Sequence, residues 1–298
     1  MRPAHVIEIQ TPKKYLLNGL WFGPTFAKAS AGKPKKPKRA IIWIHGLSSS
    51  AFSKLSIVEK LVDKDTAVIT FNNRGSGTVT KIRRLNAKRK EGIESIFSGG
   101  AHEVFTESVD DIQGAVNFAR KAGVKEIYLA GHSTGTQKSV FYSTRKGNNR
   151  YIRGVILLAP ISDYSAEVHF DKGGRLAKGL KAARSLIKQR KQHTIVPEWW
   201  MDAQRFISLN TPDSVEEIFS YVNPKKIPRT YRALQVPTLV LLAEKDEYAD
   251  RPATKMAAWF GEHSRSKRFN LKIILKAGHS FKGAEMQVAR AIKQWILA

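Results

Sequence analysis

Gly131-His132-Ser133-Thr134-Gly135 has the form G-x-S-x-G, the spacing of a serine carried on a sharp turn from a strand into a helix. Such a turn strains the serine backbone and crowds its flanks, and glycine at both ends removes the Cβ atoms that would collide. A hydroxyl is a poor nucleophile at its own pKa and needs a positioned base. In the chain order serine, acid, histidine, the candidates are Asp246 and His279. Asp163, Glu247 and Asp250 are alternatives for the acid that orients the imidazole. The chemistry open to this set is acyl transfer, which also requires donors for a developing oxyanion. The backbone N–H of Thr134, where the following helix begins, is one expected donor. The loop His45-Gly46-Leu47-Ser48-Ser49-Ser50 supplies the other, with Leu47 N–H as donor and Gly46 permitting close backbone approach.

Short β-rich runs alternate with helical patterns, which argues for βαβ units and a mainly parallel sheet. Strands are predicted over 6–10, 15–22, 41–44, 67–71, 126–130, 155–159, 238–242 and 271–275. The run Ile41 to Ile44 is wholly apolar, as expected of a central strand covered on both faces. Helices are predicted over 104–121 and 284–297. Ser133, Asp163, Asp246 and His279 each follow a predicted strand, so all fall at the C-terminal edge of the sheet, where open α/β sheets bind ligands. The other candidate histidines, His5, His102, His169, His193 and His263, follow no such strand and read as surface or hydrogen-bonded side chains. Between Asp163 and about Ser220 the strand signal gives way to helical patterns.

The chain of 298 residues has no cysteine, which excludes a disulfide scaffold, a thiol nucleophile and a thiolate zinc site. No apolar run reaches the length of a membrane span, and a cytoplasmic location is expected. No metal cluster and no dinucleotide fingerprint is visible, so no cofactor is expected. The 51 Lys+Arg exceed the 25 Asp+Glu to give a formal charge of +26. The excess is concentrated in acid-free stretches at 33–39, 81–90 and 172–191, which hold five, six and eight Lys/Arg. The third stretch, centred on 174–191, reads as an amphipathic basic helix. It serves as a solvated cationic face or as a contact for an anionic surface or substrate. No specific nucleic-acid motif accompanies it. Oligomeric state is not encoded in any recognisable pattern.

With these residues in hand, the chain resembles the α/β-hydrolase-fold serine hydrolases over nearly its whole length. His45-Gly46, the Ser133 turn, Asp246 and His279 carry the resemblance. Gly131 to Gly135 followed by Gln137, with Asp246-Glu247-Tyr248, is also similar to a siderophore-esterase-like subgroup. The loop Asn72-Asn73-Arg74-Gly75 departs from the superfamily, where Asp more often comes first. The resemblance implies an eight-stranded, mostly parallel sheet flanked by helices, with residues 1–163 and 219–298 as the core and 164–218 as a helical cap. It further implies a Ser133, Asp246 and His279 triad and an acyl-enzyme; a pocket covered by so small a cap is expected to take a small-molecule ester with a short to medium acyl chain. Amide hydrolysis, or lipase action at a membrane surface, would use the same residues; a non-catalytic basic binding protein is the alternative from another class. Trp199, Trp200, Met201 and Phe206 offer enough apolar surface either to line an acyl pocket or to form the core of the cap.

Overall fold

The computed structural model describes residues 2–24, 36–145 and 147–298; Lys33, Pro34 and Lys35 of the first basic stretch lie outside them. The chain opens with strands β1 (Ala4–Gln10), β2 (Tyr15–Phe22) and β3 (Arg39–Ile44). Helix α1 (Leu55–Leu61), strands β4 (Thr66–Phe71), β5 (Thr80–Leu85) and β6 (Ile93–Ser98), and helix α2 (Ser108–Lys121) follow. Strand β7 (Glu126–His132) leads through Ser133 into α3 (Thr134–Ser143), and then comes β8 (Ile152–Leu158). Three helices, α4 (Asp163–Phe170), α5 (Arg175–Lys188) and α6 (Ala203–Asn210), precede the short α7 (Arg229–Arg232) and β9 (Thr238–Ala243). Helix α8 (Ala253–His263), strand β10 (Phe269–Ile274) and helix α9 (Glu285–Leu297) complete the described elements.

All ten strands join one sheet, in the order β10-β9-β8-β7-β3-β4-β2-β5-β6, with β1 paired to β2. From β10 to β4 every neighbour is parallel; beyond β4 the pairings are antiparallel. Every residue of β3, β4 and β9 is buried. Alternation along β3 explains why: Ile42 and Ile44 enter the cluster packed with α2, α3 and α8, whereas Ile41 and Trp43 enter the cluster packed with α1 and α9. Each such side chain contributes roughly 1.5–3 kcal/mol on burial, so a strand apolar on both faces belongs in the middle of the sheet.

The sheet has two strands more than the eight expected. The extra pair, β5 and β6, is an antiparallel hairpin lying largely in the basic stretch 81–90. Its cations have partners distant in sequence. Arg84 pairs with Glu94 across the hairpin, Arg83 reaches Glu8 at 2.5 Å, and the Lys81 ammonium lies 5.1 Å from the centre of the Phe97 ring. At the other end of the expected helix 104–121, the first turn is a 3₁₀ segment over Phe105–Glu107 and α2 begins at Ser108.

The segment between β8 and β9 holds helices and no sheet strand. Its α5 and α6 share a separate apolar cluster of Leu176, Ala183, Val196, Met201, Phe206 and Leu209, against which Leu47 and Tyr164 pack. On the opposite face of α5, Arg175, Lys178, Lys181, Arg184 and Lys188 are exposed. No helix among the described residues is long and apolar enough to cross a membrane.

At the centre of the sheet, the turn from β7 into α3 demands very close backbone approach. A Cβ on Gly131 would stand 2.2 Å from the Gly135 carbonyl oxygen, and one on Gly135 would stand 2.2 Å from that of Ile44. Both obstacles are backbone and cannot swing aside. Gly135→Ala is therefore expected to destabilise the protein by more than about 3 kcal/mol, lowering the thermal midpoint by about 5 °C or more. Melting at the wild-type temperature would show that this turn has more room than the coordinates allow.

Candidate active site

Ser133 has φ 55° and ψ −129°, outside the regions that L-residues populate freely. Its N–H donates to the Leu158 carbonyl at 3.0 Å, and its own carbonyl accepts from Thr136 N–H at 2.8 Å and Thr136 Oγ1 at 2.6 Å. The serine is thus fixed at the edge of the sheet, between the loop ends of β3 and β8. It lines a cavity of about 320 Å³ together with Gly46, Leu47, Asp163, Tyr248 and His279.

His279 follows β10, and Asp246 follows β9. The sheet brings these side chains together across 33 residues: His279 Nδ1 lies 2.8 Å from Asp246 Oδ2 and 3.0 Å from Oδ1. An ionised carboxylate only accepts, so Nδ1 carries a proton and Nε2 is the nitrogen free to act as a base. The three alternative acids are engaged elsewhere. Glu247 Oε2 accepts from the backbone N–H of His279 at 2.7 Å. Asp250 pairs with Arg251, and Asp163 Oδ2 accepts from Gln137 Nε2 at 2.8 Å. Asp246 is the carboxylate that meets the imidazole.

His132, beside the serine in sequence, holds the other side of the His279 backbone. Its Nε2–H donates to the His279 carbonyl at 2.9 Å. Burial, then the neighbouring His279, push the His132 pKa down to about 3, so the ring stays neutral in this role. The His279 ring lies 5.0 Å from that of His132 and 4.9 Å from that of Tyr248. Both backbone groups and both flanks of the candidate base are thereby constrained. The sequence hinted at this only through the proximity of His132 and Glu247 to stronger candidates.

The loop after β3 approaches the same point: a Cβ on Gly46 would lie 2.9 Å from Ser133 Cβ. His45 anchors this loop from below. Its Nδ1–H donates to the Gly46 carbonyl at 2.8 Å and its Nε2 accepts from Asn73 N–H at 3.3 Å. Burial, and next the Lys138 charge, push its pKa down to about 4, which keeps it neutral. Leu47 N–H is not engaged with any acceptor among the described residues, and Thr134 N–H opens α3, where an amide has no partner one turn earlier. These are the two donors the sequence proposed.

Below the turn runs a chain of buried charges that the sequence gave no reason to expect. Lys138, on α3 and fully buried, pairs with Glu103 and donates to Asn73 Oδ1 at 3.3 Å. Glu103 also meets Arg205 of α6 at 3.3 Å, and Arg205 pairs in turn with Glu216. Burial would push the Glu103 carboxyl up, but Lys138 and then Arg205 outweigh it and hold it below the usual carboxylate range. The helix that carries the serine is tied in this way to the helices between β8 and β9. His102 and His193, expected to be bystanders, converge on buried Asp202 at the start of α6. No group of side chains suited to a metal occurs among the described residues.

Of the two roles open to Trp199, Trp200, Met201 and Phe206, lining an acyl pocket or forming the core of the insertion, the packing favours the second for three of them. Phe206 and Met201 are buried inside the cluster of α5 and α6, and Trp199 stacks edge-on against Phe206 at 4.5 Å. Trp200 is 40% exposed. None of the four is among the residues lining the Ser133 cavity. The apolar surface of Trp199, Met201 and Phe206 is consumed in joining α5 to α6, the larger gain for an insertion with little other core.

The parallel sheet, its flanking helices and the serine turn define the α/β-hydrolase fold, and the solved structures similar to this chain include proteins named as an esterase and a siderophore hydrolase. The esterase Est1E from Butyrivibrio proteoclasticus with bound ferulic acid aligns over 98% of both chains at 16% identity, with a TM-score of 0.64. The siderophore hydrolase EstB from Aspergillus fumigatus aligns over 99% of this chain and 97% of its own at 14% identity, with the same score of 0.64. An esterase from Pyrococcus furiosus, Pf2001, covers 99% of this chain and 91% of its own at 15% identity and a TM-score of 0.57. The chain belongs to the family described as a protein of unknown function (DUF1749), which matches residues 90–296. No curated protein matches it in sequence.

Asp163 gives the site a measurable pH dependence. Burial, then the Glu216 charge, push its carboxyl up to about 8, more than offsetting Arg205. Asp111, at the Arg74 loop, is raised to about 6 by burial despite Arg74. A carboxyl raised on folding favours the folded state fully below its unfolded pKa of about 4, and that contribution is lost as pH rises through the folded value. Stability is therefore expected to fall between pH 5 and 9. Asp163→Asn, which keeps an acceptor for Gln137, is expected to remove the part of the loss that runs from about pH 4 up to about pH 8, raising the melting temperature at pH 9 by several degrees relative to wild type. Melting curves that shift in parallel at both pH values would contradict this assignment.

Proposed function

We propose that this protein is a serine hydrolase that cleaves carboxylic esters through an acyl-enzyme. The observation that carries the reading is the strained Ser133 sharing a cavity with His279, whose Nδ1 is bonded to Asp246. In the proposed cycle, His279 Nε2 takes the Ser133 proton as Oγ attacks the acyl carbonyl. The Thr134 and Leu47 amides hold the oxyanion, and Asp246 keeps the imidazole in the required tautomer while offsetting its positive charge. His279 then delivers the proton to the departing alkoxide. Water, deprotonated by the same nitrogen, releases the acid and restores the serine.

Residues 164–218 act in this reading as a cap over the core formed by 1–163 and 219–298. Supporting this, Leu47 packs against the apolar cluster of α5 and α6, so the insertion braces the loop that supplies an oxyanion donor. A cavity of about 320 Å³ favours a small-molecule ester with a short to medium acyl chain over a long one. Ser133→Ala is expected to lower kcat by about 10³-fold or more, and Asp246→Asn by about 10⁴-fold through loss of the tautomer. Rates are read with a series of chromogenic esters, and activity peaking at short to medium acyl length is expected. Near wild-type turnover by Ser133→Ala would remove the serine from the mechanism.

A further inference from the structure

We infer that Lys54 forms an anion-recognition site within the Ser133 cavity, so that the preferred substrate is an ester bearing a carboxylate. This rests on the reading of Ser133 as nucleophile and adds to it the chemical class of the substrate.

Lys54 lines the cavity beside Ser49, His132, Ser133, Tyr248 and His279. It has φ 59° and ψ 25°, a left-handed conformation that crowds a β-carbon and that glycine or asparagine adopts more readily. A lysine retained in that conformation at the rim of a reactive cavity is a pointer to use of its side chain. The backbone around it is firmly held. Ala51 N–H donates to Asn72 Oδ1 at 2.7 Å, Gly77 N–H donates to the Ser49 carbonyl at 3.0 Å, and the Lys54 carbonyl accepts from Ile57 N–H at 2.9 Å and Val58 N–H at 3.0 Å.

The ammonium is half-buried yet has no salt-bridge partner among the described residues. It helps to push the His132 pKa down, and it helps to hold the Glu247 carboxyl below its usual range against the opposing effect of burial. His132 and Glu247 both bond the backbone of His279, and Lys54 shares the cavity wall with His132, Tyr248 and His279. Burial lowers the Lys54 pKa, and Glu247 and then Glu285 counter that; neither carboxylate lies within ion-pairing distance. The other acids offer little neutralisation. Asp246 is engaged with His279, and Asp163 is protonated below about pH 8. A partly desolvated cation without a counter-ion gains most from a ligand that brings one, and the overall charge of +26 draws anions toward it from a distance.

The test compares kcat/KM within two pairs of esters, each rate divided by the uncatalysed rate. 4-Nitrophenyl hemiglutarate against 4-nitrophenyl pentanoate places the carboxylate on the acyl side. 4-Acetoxybenzoate against its methyl ester places it on the alcohol side. The anionic member of at least one pair is expected to be favoured by about tenfold, with the advantage shrinking as salt is added. That ratio is expected to collapse toward one in Lys54→Met and to survive in Lys54→Arg. Ratios at or below one in both pairs with the wild type, or a preference that persists in Lys54→Met, would overturn the inference while leaving the serine mechanism standing. Turnover undiminished by Ser133→Ala would instead remove that mechanism, and the inference with it.

Discussion

The arrangement depends on a single constraint, the backbone of Ser133. Holding a non-glycine residue at φ 55° and ψ −129° costs on the order of 1–3 kcal/mol, and the surrounding structure must over-determine it. Three parallel strands do so. The end of β3 presses against Gly135, β8 accepts the Ser133 amide through Leu158, and β7 delivers the chain into the turn. The strain projects the serine off the sheet edge into the cavity that His279 also lines. Were the turn to relax, the hydroxyl would lose its position relative to both the imidazole and the amides of Leu47 and Thr134.

Support for that turn is of two kinds. Around it, side chains fix backbone: neutral His45 holds Gly46, neutral His132 holds the His279 carbonyl, and the Glu247 carboxylate holds the His279 amide. Beneath it, Lys138, Glu103, Arg205 and Glu216 form an alternating row of charges that run from α3 into the helical insertion. Buried ions remain charged only when paired, and removing one member of such a pair typically costs about 3–5 kcal/mol. The row therefore gives weak evidence for stability but strong evidence for register, because α3 and α6 can satisfy it in one relative position. The network also joins the serine helix to the segment that backs Leu47.

The parts of the fold that the sequence made legible are those where one pattern admits one explanation. Strands β3, β4 and β9 are buried on both faces and therefore appear as largely apolar runs, and the loops after β3 and β9 carry candidate side chains. The β5–β6 hairpin was hidden because its alternation is carried by cations whose partners, Glu8 and Glu94, are identified only by pairing in space. Lys138 reads in sequence as an ordinary helix lysine, and only the packing of α3 beneath the sheet buries it. The aromatic group Trp199, Trp200, Met201 and Phe206 was ambiguous for a different reason, since a cavity wall and a small core require the same residues. The choice of Asp246 over Asp163, Glu247 and Asp250 likewise needed distances, because all four stand in loops at the same edge of the sheet.

The central claim is that Ser133 is an activated nucleophile, and covalent trapping tests it most directly. The protein is treated with a fluorophosphonate, digested, and the modified residue located by mass spectrometry. A single phosphonyl adduct on Ser133 is expected, absent after heat denaturation of the protein before treatment. No adduct, or one located on another residue with Ser133 unmodified, would contradict the account.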